Sequence, residues 1–421
     1  MTELRRRREE MTERLYYNDS FLYDFRASVL DTQELKREGN QSTWAVKLDR
    51  TAFYPTSGGQ PFDTGRLTTE SKSGVPLEVR VDDVFEDEDG GVWHRVPKVL
   101  PPGAEVHGLI DAGRRRDHMQ QHTGQHLLSA AFVQLLSAKT VSFHLGEEIS
   151  TIDIDLPTIS RGELMRVERL SNEIIAEDRP IAIRYATREE AAHMGVRKLP
   201  ERAGQIRLID IKDFDLNACG GTHAQSTGQI GGLLIRRTEK MKQGTRVEFV
   251  CGLRAVSAAR RDFETLGEAS ALYPCAPGDL PANISKQRED ARSAQKREGR
   301  VLEELAELKA AQLLHDTAGG TDFRVIVQIF EDRDANFIKL LAQKLTKSTK
   351  GVIALLASAH NPPALIFARS PDLSPDMGNI LRELVTGAGG RGGGGKDFAQ
   401  GGVPDAKQLK SILEEAQRLL R

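Results

Sequence analysis

At 421 residues the chain is longer than one hydrophobic core serves, so about two to four domains are expected. Hydrophobic residues at 39% and charged residues at 29% give a soluble globular balance, and a net charge of −2 demands no polyanionic partner. No apolar run approaches the roughly 20 residues of a membrane helix, and the arginine-rich start lacks the apolar centre of a secretory signal. Three cysteines (Cys219, Cys251, Cys275) are too few for a disulfide framework and fit a reducing, cytoplasmic location.

In chain order, residues 20–110 read as short strands broken by turns. Ser20–Leu30 and Trp44–Leu48 alternate apolar and polar residues, and glycines at Gly58, Gly59, Gly90 and Gly91 permit tight turns between such runs. A small β-barrel or sandwich is the economical fold. Asp117 has the character of a helix cap, with Gln120 three residues on, and Leu127, Leu128, Ala131, Leu135 and Leu136 follow at helical spacing. Strands are expected around Ile152–Leu156 and Val247–Cys251, with an amphipathic helix over Arg161–Glu177 between them. Asn283–Leu314 reads as a long helix with a broken heptad seam through Ile284, Ala291, Ala294, Val301, Leu305 and Leu308. Such a helix either packs on its own protein or pairs with a second copy. Beyond it, Val325–Phe330, Val352–Leu356 and Leu365–Ala368 alternate with a helix near Phe337–Leu345 in a βαβ-like pattern, followed by a glycine-rich stretch and a closing helix.

The sharpest chemical signal is His122-Thr-Gly-Gln-His126. Residues four apart share a helix face, so both imidazoles reach one ion. Nearly a hundred residues later, Cys219-Gly-Gly-Thr-His223 adds a thiol and an imidazole on a turn that its glycines allow. Each pair alone reads equally as surface or packing residues. Together they make a borderline-soft donor set suited to zinc. A zincin would need Glu where Thr123 stands, and the zinc-deaminase pattern is absent. Four simultaneous ligands would give a structural zinc, because a catalytic one keeps a position open.

On these motifs the chain resembles the editing domain of alanyl-tRNA synthetases and its free-standing relatives, the AlaX proteins. The resemblance extends upstream through Asp49-Arg-Thr-Ala-Phe-Tyr54, Ser57-Gly-Gly-Gln60 and Asp63-Thr-Gly65, and downstream through Thr227-Gly228, Ile230-Gly231 and Gly244–Glu248. Gly389–Gly402 is similar to the C-terminal domain of the synthetases. The family implies an α+β protein: an N-terminal β-barrel-like module over 1–108, a zinc-binding editing core over 109–262, a helical spacer over 263–316 and a C-terminal α/β tRNA-binding domain over 317–421. It implies hydrolysis of mischarged Ser-tRNA(Ala), with Gly-tRNA(Ala) a further candidate, and Zn2+ held by His122, His126, Cys219 and His223. On this reading no aminoacylation domain is expected ahead of the barrel. Thr140, Ser142 and Thr222 are the substrate-contact candidates, each equally a plain strand or turn residue. A homodimer through the spacer or the C-terminal domain is a further expectation.

Arg114, Arg115 and Arg116 precede the metal helix, and Arg236, Arg237, Lys240, Lys242 and Arg246 follow the Cys219 motif. With Arg391 and Lys396 of the glycine-rich stretch, the arginine triplet supplies the candidate tRNA contacts, which would neutralise phosphates without reading sequence. Gly390-x4-Gly395-Lys396 is close to a P-loop, but Asp397 replaces the required Ser or Thr and a helix precedes it. The Asp-His-His motif of phosphoesterases that share such a C-terminal domain is missing. The alternative to an esterase is a non-catalytic tRNA-binding module stapled by zinc.

Overall fold

Alternating burial along residues 24–110 builds a curled antiparallel sheet of seven strands. They are β1 (Asp24–Glu38), β2 (Gln41–Leu48), β3 (Gly65–Glu70), β4 (Pro76–Val81), β5 (Asp83–Glu86), β6 (Val92–Val96) and β7 (Glu105–Ile110), in the order β4-β3-β7-β1-β2-β6-β5. The computed structural model describes residues 12–38, 41–70, 75–197, 204–317, 323–347 and 349–420. The sheet wraps a core that includes Phe25, Val29, Leu48, Phe53, Leu67 and Val96. Strand β1 serves both halves of the curl: Asp24–Ser28 pair with β7, and the rest pairs with β2 past two register shifts, after Val29 and after Glu34. Such bulges bend a strand sharply enough to let one segment change partners.

Helix α1 runs from Ala112 to Leu136. Its cap is Asp111, whose carboxylate accepts from the amides of Gly113 and Arg114, and not Asp117, which lies a turn and a half inside and pairs with Arg254. The first turn, Ala112-Gly-Arg-Arg-Arg116, carries no large apolar residue, so periodicity alone starts the helix too late. Strands β8 (Thr140–Leu145) and β9 (Ser150–Ile154) follow, then α2 (Arg161–Ala176), closed at its start by the Ser160/Glu163 capping box. Next come β10 (Ile181–Ala186), α3 (Arg188–His193), β11 (Ile206–Ile211), β12 (Asp215–Ala218), β13 (Leu233–Met241), β14 (Gly244–Cys251) and α4 (Gly252–Leu272). They form a four-stranded sheet β8-β9-β14-β13 and a three-stranded sheet β10-β11-β12.

The apolar stripe of α1, Leu127, Leu128, Ala131 and Phe132, packs on Ile152, Ile154, Val247 and Phe249 of the four-stranded sheet. Helix and sheet approach so closely that a Cβ on Gly124 would run into the Cys251 sulfur. Gly124 is therefore required by packing, and the ligand pair on either side of it inherits that close seating.

The chain divides into two compact units after Glu268. In the second, α5 (Leu280–Asp316) leads into β15 (Arg324–Phe330), α6 (Ala335–Lys347), β16 (Val352–Ser358), β17 (Ala364–Arg369), α7 (Met377–Gly387), β18 (Arg391–Gly394), β19 (Phe398–Gly402) and α8 (Leu409–Leu419). The sheet order is β15-β16-β17-β19-β18, with β15 and β16 parallel across α6. Every residue of β16 is buried, as expected of a strand covered on both faces. Along α5, Leu302, Leu305, Ala306, Ala310 and Leu313 face this core, while Val301 and Leu308 of the expected heptad seam are 62% and 72% exposed. That half of the helix packs on its own unit. The glycine-rich stretch is a hairpin whose Gly392 and Gly401 seat against Leu381 of α7 and whose Gly394 lies against Ala399, so these glycines serve close packing.

Candidate metal centre

Helix periodicity places His122 and His126 on one face of α1. Strand β12 then delivers Cys219, and the Gly220-Gly221 turn brings His223 back to it. The four donor atoms lie within 4.8 Å of one another. Cys219 Sγ is 3.4 Å from His122 Nε2 and 3.3 Å from His223 Nε2, separations that zinc–nitrogen bonds of about 2.0–2.1 Å and a zinc–sulfur bond of about 2.3 Å produce. A Cβ on Gly221 would collide with the His122 ring, so only glycine lets the turn come this near.

The far side of each imidazole is also held. His122 Nδ1 meets Gln60 Oε1 at 2.7 Å, His223 Nδ1 meets Thr123 Oγ1 at 3.3 Å, and His126 Nδ1 lies 3.5 Å from Asp215 Oδ2. Each partner is itself fixed. Gln60 donates to the Thr222 hydroxyl and accepts from its amide, Thr123 accepts from the Ala224 amide, and Asp215 is bound bidentately by Arg197. Partners of this kind set ring orientation and leave the opposite nitrogen free for a metal.

Burial raises the Cys219 thiol, but the surrounding His122 and His223 outweigh it and hold the group well below its ordinary value. Burial likewise depresses His223, to about 3, whereas for His126 the Asp215 carboxylate and Cys219 overcome burial and raise it to about 9. A thiolate facing the neutral imidazole of His223 is the protonation state metal ligation requires, and His126 would give up its proton to a bound ion. Donor chemistry, spacing and orientation all fit a zinc-class ion.

The other candidates separate. Thr222 is buried and its hydroxyl accepts from Gln60. Thr140 faces α1 and donates to Ser129, three residues past His126. Ser142 is exposed on the opposite face of β8, bonded to Asp153. Directly after Ser142, Phe143 turns inward, its ring 5.6 Å from that of His122 and pressed against Gly59. Arg115 cannot reach RNA. It is wholly buried, its guanidinium spent on Asp63 and on the carbonyls of Ser20 and Ala52. Arg114 is half-buried against Phe62, while Arg116, Arg391 and Lys396 are exposed. Arg236, Arg237 and Arg246 form ion pairs with Asp262, Glu248 and Asp153. Sequence reasoning missed Asp215 and Thr123. The strand alternation Asp215, Asn217, Cys219 is the signal that would have put Asp215 on the ligand face.

Comparisons with known proteins give the family. Family models match in three places: "Threonyl and Alanyl tRNA synthetase second additional domain" over residues 206–248, "DHHA1 domain" over 322–421 and "tRNA synthetases class II (A)" over 2–114. The alanine–tRNA ligase of Pyrococcus abyssi is 33% identical over 97% of this chain and 44% of its own length, and that of Natronomonas pharaonis 34% over 97% and 44%. The chain thus spans less than half the length of these ligases. The C-Ala domain from Aquifex aeolicus alanyl-tRNA synthetase is similar at 24% identity over 24% of this chain and 96% of that one, with a TM-score of 0.21. The alanyl-tRNA editing protein AlaX-L of Pyrococcus horikoshii is 31% identical over 98% of this chain and 99% of its own length. With a relative matched from end to end and the ligand residues gathered at one point, the chain belongs to the alanyl-tRNA editing protein family.

Proposed function

We propose that the protein is an aminoacyl-tRNA deacylase that hydrolyses the ester of mischarged Ser-tRNA(Ala), and of Gly-tRNA(Ala) as a second substrate, in trans and in the cytoplasm. The observation that carries this reading is the convergence of His122, His126, Cys219 and His223, with three imidazoles each oriented from behind. These four residues would hold zinc, which when bound supplies a Lewis acid able to polarise an ester or acidify a water. Gln60, Thr123 and Asp215 keep the imidazoles turned inward, and Phe143 covers the His122 side against water. The Thr140 hydroxyl, beside α1, donates to Ser129 and keeps lone pairs that would accept from a serine hydroxyl; alanine would leave that acceptor unused, and the asymmetry would give selectivity. Exposed Arg116, Arg391 and Lys396 would neutralise tRNA phosphates.

One observation favours a second reading. Four protein donors already fill a tetrahedral zinc, the count of a structural site. On that reading the chain is a non-catalytic tRNA-binding module. Deacylation of Ser-, Gly- and Ala-tRNA(Ala) by wild type and Cys219→Ala, with zinc content assayed, separates the two. Release of serine by wild type, sparing alanine and abolished in the variant, supports the esterase. Intact esters beside stoichiometric zinc leave the module.

A further inference from the structure

Behind the metal centre lies a second buried cation that the proposed chemistry leaves unused. Arg207, at the start of β11, is 2% exposed. Its Nη1 donates to the Cys219 carbonyl at 2.7 Å and to the Gly221 carbonyl at 2.9 Å, bracketing the turn that carries the thiol. The backbone closes the same bracket, because the Cys219 amide donates to the Arg207 carbonyl at 3.1 Å. On the other side Nε donates to the Tyr17 carbonyl at 2.9 Å, and the guanidinium carbon stands 5.5 Å from the centre of the Tyr17 ring. That ring rests on Gly220, where a Cβ would touch its hydroxyl. The turn is thus gripped from beneath by Arg207 and from above by Tyr17.

Burying a guanidinium is costly, and a structural purpose alone would be met by an apolar side chain of similar volume. Arginine differs in its planar guanidinium: with Nε anchored on the Tyr17 carbonyl, Nη1 meets both turn carbonyls from a fixed point, where lysine offers one mobile donor. Here the two carbonyls flank Gly220, and the amide of Gly221 in turn points at Cys219 Sγ at 3.4 Å. Moving the carbonyls would rotate that amide and redirect the sulfur.

We infer that Arg207 is a positioning residue for the metal centre, fixing the Cys219–Gly221 turn and so the direction from which the sulfur meets the ion. The inference rests on the reading of these four residues as metal ligands. The guanidinium also places a fixed positive charge behind the loop that bears the thiolate.

The test is titration of the full-length metal-free chain with Co2+ and, by chelator competition, with Zn2+, comparing wild type, Arg207→Lys and Arg207→Gln. Unfolding of each metal-free protein is followed in parallel. Affinity for both ions is expected to fall about 10–100-fold in Arg207→Gln and by less in Arg207→Lys, as for other groups that orient ligands. The sulfur-to-cobalt charge-transfer band should shift in both. A residue that merely supports the fold would lower the unfolding midpoint while leaving the band and the affinity of folded protein unchanged, and that result overturns the inference. If Arg207→Gln does not fold, Arg207→Lys decides: wild-type affinity with an unmoved band refutes the positioning role. Wild type that binds neither ion removes the metal reading itself, and the inference with it.

Discussion

Gln60 Oε1 stands 2.7 Å from His122 Nδ1, joining the turn that follows the second strand of the curled sheet to the first ligand on helix α1, 62 residues later. The amide oxygen only accepts, so His122 must carry its proton on Nδ1 and present a bare Nε2 to the metal. The same oxygen accepts from the Thr222 amide, and the Gln60 amide nitrogen donates to the Thr222 hydroxyl. One side chain therefore ties the glycine-rich module to both ligand motifs.

Gln60→Ala is expected to cost about 10–100-fold in zinc affinity. It should also cost about 1–3 kcal/mol of stability, because the His122 and Thr222 donors stay buried without a partner. Chelator competition and chemical denaturation measure the two separately. Unchanged zinc affinity would show that His122 is oriented by packing against Phe143 alone.

Gly124 sits between the two histidines of α1, where a Cβ would meet the Cys251 sulfur. In an ordinary helix interior, alanine in place of glycine would gain about 1 kcal/mol. Here overpacking should reverse the sign, and Gly124→Ala is expected to destabilise by about 1–3 kcal/mol. Cys251→Ala in the same chain removes the colliding atom. A double-mutant cycle by denaturation should then return a favourable coupling. Strict additivity would mean that the helix shifts as a body instead.

These two positions also show what the sequence could reveal. Ligand pairs four apart, the glycines between Cys219 and Thr222, and the extent of α5 are local properties, so the sequence exposes them, although the heptad seam expected along α5 is mostly exposed. The orienting groups are not local. Gln60 and Arg207 reach the centre only through tertiary pairing, and no spacing rule links residue 60 to residue 122. The arginine triplet divides for a geometric reason. Successive helical residues point about 100° apart, so three adjacent arginines face three environments and only burial says which is which. The late helix start had the same origin, since Asp111 caps a first turn without large apolar residues.

His94 provides a pH dependence remote from the metal. It is fully buried within the curled sheet, where Nδ1 donates to the Val46 carbonyl at 3.0 Å and Nε2 accepts from the Thr51 hydroxyl at 2.8 Å. That pattern belongs to neutral imidazole, and burial depresses the group from 6.5 to about 4. The unfolded chain takes up the proton first as pH falls. Stability is therefore whole above about pH 6.5 and drains away towards pH 4, by up to about 3 kcal/mol at about 1.4 kcal/mol per pH unit. Unfolding midpoints recorded from pH 7.5 to 4.5 should show this slope, reduced in His94→Gln. Some slope should persist, because burial also depresses His118, to about 3. A variant as steep as wild type would place the proton elsewhere.

The arginines around α1 should split into two behaviours. Arg115 and Asp63 form an ion pair with neither side chain exposed, and Asp63 also accepts from the Tyr54 amide. Arg115→Met leaves a carboxylate buried without its cation and should cost about 3–5 kcal/mol. Adding Asp63→Asn should recover part of that stability. Among molecules that remain folded, tRNA affinity should not change, since the guanidinium never meets solvent. Arg116→Ala, Arg391→Ala and Lys396→Ala should do the reverse. Stability should stay within about 0.5 kcal/mol of wild type, while tRNA binding weakens and the slope of log affinity against log salt drops by about 1 for each phosphate no longer neutralised. Filter binding across a salt series, alongside denaturation, reads both quantities. If Arg115→Met instead lowered the salt slope while keeping its stability, the buried pair would have to open when RNA binds.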